Sequence, residues 1–135
     1  MRSFPLKIVT PDGLIFDGQA EQLIVRTTSG DMGILAGHVN CVAPLGMGLA
    51  TVIADGKKRY GACIGGMVSV LNGQVKLVPT TFEWAEDIDV ERAKSAKARA
   101  EEKLKKSDLS EREIKIAQAK INRALVRSSV AANVK

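Results

Sequence analysis

Up to about Val78 the chain is built of short apolar runs separated by turn residues. Leu6-Lys7-Ile8-Val9 precedes Thr10-Pro11-Asp12-Gly13, Leu14-Ile15-Phe16 follows, and Leu23-Ile24-Val25 leads into the polar stretch Thr27-Thr28-Ser29-Gly30-Asp31. Asp55-Gly56 separates Ala50-Thr51-Val52-Ile53 from Arg59-Tyr60-Gly61-Ala62. In the same way Asn72-Gly73 separates Met67-Val68-Ser69-Val70-Leu71 from Gln74-Val75-Lys76-Leu77-Val78. Asn-Gly and Asp-Gly tolerate the positive φ of type I′ turns, whose twist matches the flanking strands. Many short strands with no helix between them predict an antiparallel sandwich or barrel.

From Asp89 the period changes. Val90, Ala93, Ala96, Ala100 and Leu104 recur every three or four residues, one face of a helix, with Asp89 as its N-cap and Glu91 in its first turn. Residues 105–109 break the pattern. Ser110 and Glu113 then form a capping box that opens a second helix, with the stripe Ile114, Ala117, Ile121, Ala124 and Leu125. A short link between two amphipathic helices predicts an antiparallel hairpin. Its seam is mostly alanine. Burial of a methyl-sized group yields about 0.8 kcal/mol against about 1.5–3 for Leu or Ile, so the two helices are expected to dock weakly. The fold read from the pattern is an all-β antiparallel sandwich over residues 1–86, followed by a two-helix hairpin over 87–135.

Charge sharpens this division. Seven basic and seven acidic residues fall at or before Glu86, so the whole net charge of +5 lies in the last third. Such a tail suits an acidic partner: nucleic acid, an acidic protein surface or a phosphate ligand. No aromatics interleave its cations to stack on bases, which argues against nucleic acid. The basic start, residues 1–7, is followed by no apolar stretch of signal-peptide type, and no run reaches the roughly 18 apolar residues that span a bilayer. Cys41 and Cys63 show no metal-binding spacing and read as buried free thiols. One histidine, His38, cannot build a metal cluster, and no nucleophile–base pair stands out, so neither catalytic residues nor a metal site is expected. Gly46-Met47-Gly48 and Gly65-Gly66 open no helix and read as bends. Trp84, near the junction, reads as an apolar plug between body and tail.

Five segments, in order, resemble the epsilon subunit of bacterial ATP synthases: Ile8-Val9-Thr10-Pro11-Asp12-Gly13, then Gly30-Asp31-Met32-Gly33-Ile34-Leu35-Ala36-Gly37-His38. Pro44-Leu45, Gly65-Gly66-Met67-Val68-Ser69-Val70 and the junction from Glu83 to Ala93 complete the series. Val39-Asn40 after the histidine and residues 77–81 depart from the family pattern. Pro79 cannot donate to a ladder, so its strand is expected to end there.

The resemblance implies a non-catalytic rotor subunit that couples ion-driven rotation to ATP synthesis. Its partners would be the gamma subunit and the c-subunit ring, with Asp31, Met32 and His38 as rotor-interface candidates. The tail would reach the alpha/beta catalytic head through Arg112, Lys115, Lys120, Arg123 and Arg127 and inhibit ATP hydrolysis. No cofactor is required, but a regulatory ATP is implied by Ile88-Asp89-Val90-Glu91-Arg92-Ala93, which matches the nucleotide motif of some members. Arg92 and Arg99, two turns apart, would bind phosphates with Arg123 and Arg127, while Glu83, Ile88 and Asp89 would flank the adenosine. The plainer alternative is that Asp89 only caps its helix and the arginines are solvated. The expected location is the cytoplasmic face of the bacterial plasma membrane, peripheral and held there through the complex.

Overall fold

The computed structural model describes residues 2–133. It divides after Trp84 into two compact units, a β-sandwich and a helical unit. The strands are β1 (Phe4–Thr10), β2 (Gly13–Ala20), β3 (Gln22–Thr27), β4 (Gly30–Leu35), β5 (Cys41–Pro44), β6 (Met47–Ala54), β7 (Lys57–Ile64), β8 (Met67–Leu71), β9 (Gln74–Val78) and β10 (Thr81–Trp84). They form two five-stranded sheets, ordered β2-β1-β9-β8-β5 and β10-β7-β6-β3-β4. Alternation decides what lies inside. Phe4, Leu6 and Ile8 of β1, Leu23 and Val25 of β3, Val68 and Val70 of β8, and Val75 and Leu77 of β9 meet in one apolar core.

Local chemistry closes the strands as the pattern predicts. Asp55 and Gly56 adopt φ of 53° and 72°, and Asn72 and Gly73 adopt 50° and 81°, the two left-handed pairs a type I′ hairpin needs. Two other turns share one device. The buried hydroxyl of Thr10 accepts the amide of Asp12, and that of Thr27 accepts the amide of Ser29, each ahead of a glycine at positive φ.

The structure departs from the sequence expectation at several places. Strand signals extend past Val78: Pro79 ends β9 as expected, but β10 follows and pairs with β7. One pairing, β1 with β9, is parallel, because β9 returns beside the first strand in the same direction after β3, β4, β6 and β7 have been laid into the opposite sheet. Trp84 belongs to the apolar core of the sandwich. Cys63 is buried, but Cys41 is only half-buried, since it lies on a short edge strand.

The helical unit opens with a 3-10 turn (Ala85–Asp87), then α1 (Val90–Leu104) and α2 (Glu111–Ala132). Asp89 caps α1, its Oδ1 accepting the Arg92 amide at 3.0 Å. Ser110 and Glu113 form the complete capping box on α2. The helices pack side by side, and the turn that precedes α1 also touches α2, so the pair runs antiparallel. Its buried residues are Ala93, Ala100, Ala117, Ala124 and Val130. Ile114 and Leu125, expected in the seam, are exposed: the alanines bring the helices close, and the larger side chains fall to the side of the contact.

Candidate functional site

The outer face of β5, β8 and β9 carries an exposed apolar surface. Val68 and Val70 point into the core, so the period-2 geometry turns Met67, Ser69 and Leu71 outward. The register sets Met67 between Pro44 and Val78, and Ser69 between Val42 and Lys76. Val42 is 66% exposed, Leu71 62%, Met67 43% and Val78 40%. Lys76 pairs with Lys7 and gives the strip a basic border. A contiguous apolar strip with a charged edge is the signature of a protein interaction surface. Sequence reasoning missed it. The available signal was Met67-Val68-Ser69-Val70-Leu71, where both phases of the alternation carry apolar side chains although one face should be wet.

The rotor-interface candidates lie on the other sheet and the connection after it. Asp31 and Met32 belong to β4, an edge strand. Asp31 forms an exposed ion pair with Arg26 at 2.9 Å, and Met32 packs half-buried against the core. His38 follows β4 and is half-buried. Its Nδ1 lies 2.8 Å from the carbonyl of Val39 and 4.0 Å from the Cys41 sulfur. Leu35 and Val39 beside it are exposed, so this connection carries an apolar surface of its own. Asn40 fastens it to the β8–β9 hairpin by accepting the Asn72 amide at 2.8 Å. Among the described residues no group of three or more His, Cys, Asp or Glu side chains is placed to hold a metal ion.

In the helical unit four arginines, Arg92, Arg99, Arg123 and Arg127, share one side. Arg92, Arg99 and Arg123 each precede a buried alanine (Ala93, Ala100 and Ala124), so each lies about 100° around its helix from the seam in the same sense. Arg127, three residues beyond Ala124, lies about 60° round in that sense. In an antiparallel pair, equal rotations carry both helices' residues to the same side of the hairpin. Arg92, Arg99 and Arg123 are exposed, and Arg127 is half-buried. Lys120, seven residues before Arg127, shares its azimuth, whereas Arg112 and Lys115 turn toward the back of α2; all three are exposed. Ile88 is buried, and the Asp89 carboxylate is already engaged at its helix end. Glu83, in β10, is half-buried and sits in the sandwich unit opposite Ala62.

Two family profiles, side by side, cover residues 3–132. The ATP synthase delta/epsilon chain β-sandwich domain matches residues 3–85, and the long α-helix domain of the same chain matches residues 86–132. An ATP synthase epsilon chain of Bacillus velezensis is 42% identical over 134 residues, covering 98% of this chain and 100% of the relative. The chain belongs to the epsilon-subunit family of bacterial F-type ATP synthases. The epsilon chain of Ruminococcus albus is 41% identical over 97% of this chain and 98% of its own length. Among solved structures, a chain in the Euglena gracilis mitochondrial ATP synthase, determined as OSCP/F1/c-ring, superimposes with a TM-score of 0.81 at 25% identity, over 98% of this chain and 82% of that one. A chain of the Tetrahymena thermophila mitochondrial ATP synthase central stalk and c-ring gives 0.68 at 12% identity, over 96% and 97%, a likeness of fold. Epsilon subunits are stalk subunits and not the catalytic ones. No described helix is long and apolar enough to cross a membrane.

Proposed function

We propose that this epsilon chain couples rotation to ATP synthesis by binding the gamma subunit through the outer face of β5, β8 and β9. The c-ring contact falls to the edge strand and connection that carry Asp31, Met32 and His38. The observation behind the gamma assignment is the exposed strip Val42, Met67, Leu71 and Val78 across β5, β8 and β9, where the other face of β8 and β9 is core. A rotor subunit must grip its neighbour through every turn, and an apolar strip backed by a packed sheet supplies a flat, rigid surface for that grip. The subunit is then peripheral, held at the cytoplasmic face of the plasma membrane through its partners. Leu71→Asp and Met67→Asp test the assignment, since both are exposed and should leave the sandwich folded. Copurification with gamma should fall at least tenfold. Undiminished gamma binding by both variants would put the interface elsewhere.

The helical unit is proposed as an ATP-sensitive brake. The four arginines on one side of an alanine-seamed hairpin support this reading, because guanidiniums converging on one face suit a polyphosphate. In the inhibitory arrangement Arg112, Lys115, Lys120, Arg123 and Arg127 face acidic segments of the alpha/beta head. ATP bound to the closed hairpin would favour it by about 2.7 kcal/mol at a hundred times Kd, enough to move a near-balanced equilibrium. Ile88 and Asp89 immediately precede α1, the helix that carries Arg92 and Arg99. Calorimetry of the full chain with ATP, repeated on Arg92→Ala and Arg99→Ala, should show a loss of about 1.5–3 kcal/mol. Equal affinities would mean that those arginines are simply solvated. Deleting the residues after Asp87 should raise ATP hydrolysis by the assembled complex, most of all at low ATP. Unchanged hydrolysis across low and high ATP would remove the brake.

A further inference from the structure

β10 is the last strand of the sandwich, and the helical unit begins directly after it. It is an edge strand that pairs over four residues with β7 alone. So short a ladder is a weak root for a regulatory tail. The side chains along it are unusual for an edge. Phe82 lies over Gly61: a Cβ at residue 61 would come within 2.3 Å of the Phe82 ring, so the glycine leaves the hollow that the ring fills. Trp84 stands opposite Gly61 and packs edge-on against Phe82 at 5.0 Å and against Phe16 of the other sheet at 6.4 Å. The Arg59 guanidinium, two residues before Gly61 on β7, covers the Trp84 ring at 3.7 Å from its centroid. The exposed cation thereby closes the outer side of an otherwise buried ring.

We propose that Arg59 is the closing element of a clasp, with Trp84, Phe82 and the Gly61 hollow, that keeps β10 in register and fixes the point from which the helical unit departs. With β10 clasped, motion of the helical unit is confined to the residues after Trp84 and cannot peel the last strand from the sheet. Arg59 is a positioning residue and its action is exerted through the Trp84 ring.

The test uses the full chain. It combines amide hydrogen exchange along the strands with acrylamide quenching of Trp84, the sole tryptophan in the sequence. Arg59→Gln keeps a polar side chain of similar reach without the charge. It should speed exchange at Thr81–Trp84 by about two- to thirty-fold, the range expected for a cation over an indole face, and increase quenching. Arg59→Lys restores a cation and should recover most of the protection, which a merely space-filling role would not predict. Gly61→Ala should free the same strand more strongly, by evicting Phe82. Exchange and quenching of Arg59→Gln equal to those of the parent would overturn the proposal. So would loosening spread evenly over β3, β6 and β7, which would make Arg59 a general stabiliser.

Discussion

The two units bury quite different things. Between its sheets the sandwich encloses Leu6, Ile8, Leu23, Ile34, Leu77 and their neighbours, side chains each worth about 1.5–3 kcal/mol when removed from water. The hairpin encloses four alanines and one valine, with a methyl group worth about 0.8 kcal/mol at each alanine. Its helices depend instead on their ends, through Asp89 on α1 and the Ser110–Glu113 capping box on α2. A body stabilised by long-range packing is all-or-none, whereas a hairpin stabilised by local caps and a thin seam can change state at little cost. The contrast suits the proposed division of labour between a part that holds the rotor and a part that responds.

The sharpest challenge to this contrast is a deletion in the sandwich core. Leu23→Ala should lower stability by about 2–5 kcal/mol, read as a drop in the denaturant midpoint of the sheet signal, with α2 helicity unaffected until the body melts. A loss below 1 kcal/mol would mean that the core is less tightly packed than its burial indicates. The next effect is a pH dependence specific to the body. Burial pushes the Cys63 thiol up from 9.0 to about 12. The folded state therefore keeps a proton that the unfolded chain releases. The stabilisation is complete below pH 9.0 and is lost as pH climbs toward about 12. Denaturant melts in that window should show Cys63→Ala losing less stability with pH than the parent. Thiol reagents at neutral pH should modify half-buried Cys41 first.

In the hairpin the larger response should come from a cap. Ser110→Ala removes the acceptor for the Glu113 amide and should cost about 1 kcal/mol of local stability. It should appear as faster amide exchange in the first turns of α2, with the sandwich unchanged. The smallest effect sharpens the comparison from the other side. Leu125 is exposed, so Leu125→Gln should change stability by less than about 0.5 kcal/mol in the free chain. A larger loss would reveal a covered apolar stripe, and the hairpin would then be held by more than alanine.

Much was legible before any coordinates, wherever the signal was local. Asp55-Gly56 and Asn72-Gly73 specify their turns because only a few residue types accept positive φ. Asp89, Ser110 and Glu113 mark helix ends because orphan amides need an acceptor within three residues. The net charge of the tail and the placement of Arg92, Arg99, Arg123 and Arg127 along two helices also follow from spacing alone. The ordered segments that resemble epsilon subunits carried the family, which the profiles and relatives then established over the whole chain.

What the tertiary structure decided was whatever depends on a neighbour distant in sequence. β10 is short and follows a proline, and it becomes a strand because β7 offers an open edge and Gly61 a hollow for Phe82. The parallel pairing of β1 with β9 is set by the return path of the chain, which no local pattern records. Val42, Met67, Leu71 and Val78 become one surface only when β5, β8 and β9 lie side by side. Ile114 and Leu125 fall outside the seam because Ala117 and Ala124 take the buried face of α2. Periodicity specifies that a strand or helix has an apolar face. Which partner covers that face, and how much of it, is settled by packing between segments far apart in sequence.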